Sequence, residues 1–251
     1  MSGDLGAVYD DFSVSARLFL KLDMTLERET VLHFLDRIRK EYPTLCKFRR
    51  RDNGSLVLEE DAEDDGSRRW IRLDASSLRF GHFAPKDPQQ VRRFGDLILT
   101  QAPYHLTFSD IDFDHLELTY GFHLEYRGNH DQLVAETVWG EHAGTGFLFD
   151  NRVKHIIDAQ PYFGIALSPE CDLQAYIEVK SRTSTYEVRG DAYELQPIGV
   201  FLTMRKYWGV APPAALDEAL RLLFDHADDL VTQHVAPNFV NPLAAAIASR
   251  S

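Results

Sequence analysis

From Leu116 to Tyr126 every second residue is apolar: Leu116, Leu118, Tyr120, Phe122, Leu124 and Tyr126 alternate with Glu117, Thr119, Gly121, His123 and Glu125. Successive side chains on a strand point to opposite faces, so a period of two gives one apolar and one polar face. A strand of this kind belongs in an antiparallel sheet covered on one side, because strands buried on both faces read as continuous apolar runs. The stretch from Phe12 to Asp23 repeats the pattern, with Val14, Ala16, Leu18, Leu20 and Leu22 set against Ser13, Ser15, Arg17 and Lys21. Two such strands need a layer of helices over their shared apolar face.

The segment between them supplies it. Thr25 is placed to cap a helix over about 26–41, in which Glu27 and Glu29 occupy the first turn and Val31, Phe34, Leu35 and Ile38 recur at helical spacing. Leu45–Arg51 and Leu56–Glu60 flank Asp52-Asn53-Gly54, a strong hairpin signal. Trp70–Leu73 and Leu78–Phe83 read as two further strands joined at Ala75-Ser76-Ser77. Pro85 and Pro88 precede a second helix over about 88–101, its stripe formed by Val91, Phe94, Leu97 and Ile98, with Pro103 as its expected stop. The order is β-α-β-β-α-β with extra hairpin strands, the ferredoxin-like plan, and it predicts both helices on the same sheet face.

The remainder repeats these ingredients less regularly. A helix is expected over Asp131–Trp139, then a bend at Gly140, Gly144 and Gly146, then strands at Tyr162–Leu167, Leu173–Ser181, Thr185–Arg189 and Ile198–Tyr207. Pro212 and Pro213 lead into a final helix marked by Leu216, Leu220, Leu223, Ala227 and Leu230, and the tail after Pro237 is weakly patterned. The chain is read as an α+β protein with antiparallel-rich sheets and helices on one face. It divides into a ferredoxin-like half at residues 1–127 and a second α+β half at 128–251, although 251 residues also suit one continuous domain.

The segments RRWIRLDASSLRFGHF, PQQVRRFGDLIL and LELTYGFHLEY, spanning about residues 68–126, resemble a sporadically distributed family of uncharacterised bacterial proteins. There a strand pair precedes a helix and a long strand. The resemblance implies a fold and no activity.

Charge bears on function next. With 27 Lys+Arg against 39 Asp+Glu the formal net charge is −12, which excludes a basic nucleic-acid coat while leaving room for a local basic groove. The 44% of hydrophobic residues is ample for a core and excludes a largely disordered chain. Two distant cysteines, Cys46 and Cys171, are too few for a disulfide framework and suggest a reducing compartment. The acidic N-terminus lacks the features of a signal peptide, and no stretch reaches the roughly 18 apolar residues of a membrane span, so the expected location is the cytoplasm. Lys47, Arg49, Arg50 and Arg51 form a basic patch suited to an acidic partner or phosphate. The acids Glu59, Glu60, Asp61, Glu63, Asp64 and Asp65 follow and can neutralise it across the hairpin.

One string has catalytic form. In SPECDLQAYIEVKSR, Asp172 precedes Glu178-Val179-Lys180, and the string is similar to metal-dependent nucleases of the PD-(D/E)XK type. In those enzymes two carboxylates hold Mg²⁺ and the ammonium stabilises the attacked phosphate or activates water. Period-two geometry places Glu178 and Lys180 on one face. All three positions also share even parity, so the other reading is the solvent face of one strand. Asp110, Asp112 and Asp114 start like a calcium loop, but His115 and Gly121 stand where Gly and Glu are needed. Glu136, Glu141, His142 and His155 lack the spacing of an H-E-x-x-H zinc site, and no nucleophile elbow, phosphate-cradling loop or dinucleotide fingerprint is present. The expectation is a non-catalytic protein, without cofactor or metal, that binds another protein or itself through an open sheet or its edges. The alternative is the nuclease, with Asp172 and Glu178 as Mg²⁺ ligands, Lys180 as the catalytic ammonium and nucleic acid as substrate.

Overall fold

The two alternating strands lie side by side at the centre of one sheet. The structure, a computed structural model, describes residues 5–64, 66–150, 152–208 and 215–250; Asp65, Pro212 and Pro213, named above, lie outside them. In chain order the strands are β1 (Asp11–Leu20), β2 (Lys47–Arg50), β3 (Leu56–Glu59), β4 (Arg68–Asp74), β5 (Ser77–Phe83), β6 (Phe113–Tyr126), β7 (Tyr162–Ala166), β8 (Leu173–Lys180) and β9 (Gln196–Tyr207). The helices are α1 (Arg28–Glu41), α2 (Pro88–Leu106), α3 (His130–Trp139), α4 (Thr185–Gly190), α5 (Leu216–Leu230) and α6 (Asn241–Ala248).

The strands form one nine-stranded sheet in the order β2-β3-β4-β5-β1-β6-β9-β8-β7, antiparallel throughout. The run β6-β1-β5-β4 is the ferredoxin-like arrangement, with the fourth strand beside the first, and β2-β3 is the added hairpin. The sheet continues across residue 127, because β6 pairs with β1 on one side and β9 on the other. There β9 flanks β6 as β5 flanks β1, so the second half lays out its meander β7-β8-β9 in mirror order.

Alternation decides which face is covered. Val14, Ala16 and Leu18 of β1, Leu116, Tyr120 and Phe122 of β6 and Val200, Leu202 and Met204 of β9 are buried. They join one core with Phe34 and Ile38 of α1, Phe94 and Ile98 of α2, and Leu220, Leu223 and Phe224 of α5. All these helices therefore cover the same face. Gly95 of α2 permits its approach: a Cβ there would fall 2.5 Å from Leu220 and 2.9 Å from Phe80. Among the described residues no helix is long and apolar enough to cross a membrane.

Four local expectations are corrected. The cap of α1 is Glu27, not Thr25, and it makes no side-chain capping bond. Pro103 does not end α2, which runs to Leu106 and stops at Thr107 in the left-handed conformation, φ 57°. Ala102 and Leu106 are both buried, and their burial carries the stripe past a proline whose missing bond falls in the last turn. Thr185–Arg189 is the helix α4 rather than a strand, because the hydroxyl of Ser184 and the carboxylate of Glu187 form a reciprocal capping box. The tail is also helical. A π-helical stretch, Val231–Val240, leads from α5 into α6, burying Val231, Val235, Val240 and Leu243. The widened turn accommodates Pro237, whose ring in a regular α-helix would meet the carbonyl of Gln233.

The two sheet edges differ. All four residues of β2 are exposed and three are cationic, whereas β7, sequence YFGIA, is exposed throughout and uncharged.

Candidate functional site

The face opposite the helices has no helical layer, and register decides what it carries. Arg49, Val57, Arg72, Arg79, Arg17, Glu117, Arg205, Gln174 and Ala166 are successive cross-strand partners and form one row across all nine strands. Five of the nine are arginines. The next row holds Lys47, Glu59, Trp70, Gly81, Ser15, Thr119, Thr203, Tyr176 and Gly164, so its middle is small and its flanks are aromatic. Beyond it lie Arg68, Phe83, Ser13, Gly121, Phe201, Glu178 and Tyr162.

Compensation of the cations on this face is incomplete. Arg72 pairs with Asp74 at 2.7 Å, Arg205 with Glu117 at 2.8 Å, and Arg49 with Glu59. Arg17, Arg68 and Arg79 make no ion pair among the described residues, and their Nε atoms are buried without a hydrogen-bond partner. Rings hold two of them instead: the Arg17 guanidinium lies 4.0 Å from the Phe19 ring centroid, and that of Arg68 lies 5.0 Å from that of Phe83. Burial, and then the facing charge of Arg79, lowers the pKa of Arg17 from its ordinary value. Arg49, Arg51, Arg68, Arg72 and Arg79 line an open pocket of about 200 Å³ together with Val57, Glu59, Trp70 and Phe83.

Glycines set the height of this face. A Cβ on Gly81 would fall 2.9 Å from the Trp70 indole, so the indole lies over β5 and reaches toward Ser15. In the same way Phe201 lies over Gly121 and Gly199, and Tyr176 over Gly164. Arg205 stacks on Tyr176, its guanidinium 4.5 Å from the ring centroid, and the Lys180 ammonium stands 5.5 Å from that of Phe201.

The residues singled out in the sequence fall as follows. Lys47, Arg49 and Arg51 face the helix-free side; Arg50 faces the other, beside Leu26, Val31 and Phe48. Two members of the patch are neutralised across the hairpin, Lys47 by Asp61 and Arg49 by Glu59. Glu60 instead holds Arg69, and Glu63 holds Lys86. Glu178 and Lys180 are brought together at 3.0 Å on β8. Asp172 is not: it precedes β8 and is held by Lys206 and the Ser168 hydroxyl, which lower its pKa. Six residues of extended chain separate it from Glu178, roughly 20 Å. Carboxylates sharing one Mg²⁺ converge to about 2.1 Å from the ion.

Asp112 closes a capping box with Ser109, and Asp114 bonds His115 at 2.8 Å. Glu136 bonds Arg250, and His142 caps the turn at Gly144. Among the described residues no group of three or more His, Cys, Asp or Glu side chains is arranged to hold a metal ion. Reasoning from sequence missed Arg17, Arg68, Arg72 and Arg79, which are spread over the three strands β1, β4 and β5. Their signal was present only as arginine at outward positions of alternating segments. No protein-family model matches the chain, and no curated protein is similar to it.

Proposed function

We propose that the chain is a binding protein that engages an anionic macromolecule on the helix-free face of its sheet. One observation carries this reading: among the described residues Arg17, Arg68 and Arg79 make no ion pair on that face and their Nε atoms are buried without a hydrogen-bond partner, in a chain whose net charge is −12. With acids in excess, nearby carboxylates were available to neutralise them, as they do Lys47 and Arg49. Partly buried cations without partners cost stability, so their presence is explained by an anion that joins them on binding. No catalytic step is assigned. The setting is a reducing one, the cytoplasm, in keeping with two separated, exposed thiols at Cys46 and Cys171.

The test is a titration of fluorescently labelled polyanions, poly-glutamate and a single-stranded oligonucleotide, with the full chain. At least one binds, with an affinity that falls as salt rises. The double variant Arg17→Gln/Arg79→Gln loses most of that affinity while melting as a folded protein. Identical binding by the variant and the unaltered chain, or no binding to either polyanion, overturns the reading.

A further inference from the structure

The helix-free face pairs its cations with rings, and the rings are spread too far apart for one base to cover two of them. Trp70 lies over Gly81, Phe201 over Gly121 and Gly199, and Tyr176 over Gly164. A ring seated on a glycine in this way lies along the sheet, and Lys180 stands beside the ring of Phe201. The Trp70 indole lies over β5 and the Phe201 ring over β6 and β9, two to three strand steps apart in the order β5-β1-β6-β9, or roughly 10–14 Å at the usual strand spacing. The arginine row lies two residues along the strands from Trp70 and Tyr176, about 7 Å away, and four residues along β9 from Phe201, about 14 Å away. Arg72 follows Trp70 on β4, Arg79 precedes Gly81 on β5, and Arg17 follows Ser15 on β1. Between the platforms the floor is small and polar: Ser13, Ser15, Thr119 and Thr203.

We infer that this face binds single-stranded nucleic acid, with bases stacked on Trp70 and Phe201 and phosphates on Arg79 and Arg17. The inference rests on the reading of this face as the binding surface and names the class of its ligand. An acidic peptide supplies charge and leaves the rings without a partner. A duplex hides its base faces inside its own stack, and one base cannot stack on two platforms roughly 10–14 Å apart. A single strand offers a π-face and an anion at every step, and stacking on aromatic residues with cations along the backbone is how sequence-tolerant binders hold it. The acidic remainder of the chain provides no long-range attraction, so affinity comes from the face itself.

The experiment is fluorescence anisotropy of a labelled 12-mer oligouridylate titrated with the full chain. Comparators are a 12-base-pair duplex, uridine monophosphate as competitor, and labelled poly-glutamate. The single strand binds, and its affinity falls with salt at a log–log slope of about −1.4, the value for two cations on a single strand. Trp70→Ala, Phe201→Leu and Arg17→Gln/Arg79→Gln each weaken binding about tenfold or more, with melting curves confirming a folded protein. Trp70 and Phe201 lie in different halves of the sheet, so one reports if the other variant fails to fold. Absence of single-strand binding, or binding indifferent to all three variants, overturns the inference. Equal affinity for the duplex, or competition by the mononucleotide at the concentration of the 12-mer, overturns it as well. Poly-glutamate that binds through Arg17 and Arg79 when the oligonucleotide does not removes the nucleic-acid ligand and keeps the anion-binding face. Failure of both probes removes the two together.

Discussion

Arg17 and Arg79 stand directly opposite one another in the β1–β5 ladder, two like charges in register on one face of the sheet. Like charges directly across a ladder oppose pairing. The expected outcome is that Arg79→Gln stabilises the fold by about 0.2–1 kcal/mol in urea unfolding, with a gain that shrinks as salt is added. A loss of stability that salt does not alter means that the Arg79 stem is needed for packing.

The most regular strand predicts a contrast between neighbours. Phe122 is fully buried under the helices, and Phe122→Ala costs about 3–5 kcal/mol. His123 is half-buried on the other face, edge-on to Phe201, and His123→Ala costs well under half of that. Denaturant midpoints of the two variants check the difference, and equal losses would place a second covering layer on the sheet.

Tyr120 ties the sheet to the helices by a polar contact inside the core. Its hydroxyl donates to Asp228 of α5 at 2.7 Å, and Arg92 of α2 bonds the same carboxylate at 2.6 Å. Burial, then the neighbouring Asp228, pushes the phenol pKa well above its usual value, so the hydroxyl remains a donor. Tyr120→Phe removes one hydrogen bond to a carboxylate that Arg92 and solvent still satisfy, a cost of about 1.5 kcal/mol. A cost above about 3 kcal/mol in thermal or chemical unfolding would show that Asp228 had no other support.

His130 gives the fold a pH dependence. Its Nδ1 accepts the Arg182 amide at 3.2 Å, and its Nε2 lies 3.2 Å from the Tyr126 carbonyl, a pattern that suits the neutral ring protonated at Nε2. Burial lowers its pKa from the ordinary histidine value, and the Tyr126 carbonyl opposes that shift. Above the unfolded pKa, about 6.5, the neutral ring is favoured in both states and stability is full. As pH falls through that value the unfolded chain takes up the proton first, and stability declines until the folded pKa is passed. Unfolding midpoints between about pH 7 and pH 5 should decline less steeply in His130→Gln; parallel profiles would assign the slope to other groups.

Periodicity made the sheet readable, and register hid the site. The alternation at 116–126 and 12–23 and the Asn53-Gly54 turn are local signals, and β6, β1 and the β2–β3 hairpin follow from them. Thr185–Arg189 alternates like a strand, yet the capping box of Ser184 and Glu187, as local as the pattern it overrides, makes it a helix. Pro103 and Pro237 misled for a different reason. Each sits where burial of neighbouring apolar residues outweighs a local rule, and that burial exists only in the folded chain. Arg17, Arg72 and Arg79 come from three strands, and nothing in any one strand shows that they meet. The contiguous patch at 47–51 attracted notice, yet two of its members are the ones neutralised by nearby acids.

The unlike edges of the sheet limit how copies of this chain can join. An edge strand presents unpaired amides and carbonyls as a template, and charge at that edge discourages its use. β2 carries Lys47, Arg49 and Arg50, whereas β7 offers Tyr162, Phe163 and Ile165, each about half exposed, with no charge at all. The sheet therefore has one uncharged, apolar end and one polar, largely ion-paired end. Growth by edge-to-edge addition needs two adhesive ends, so pairing of β7 with β7 of a second copy closes on itself about a twofold axis and consumes the available template. Were copies to join through β7, association would stop at two chains, because β2 offers no second uncharged edge.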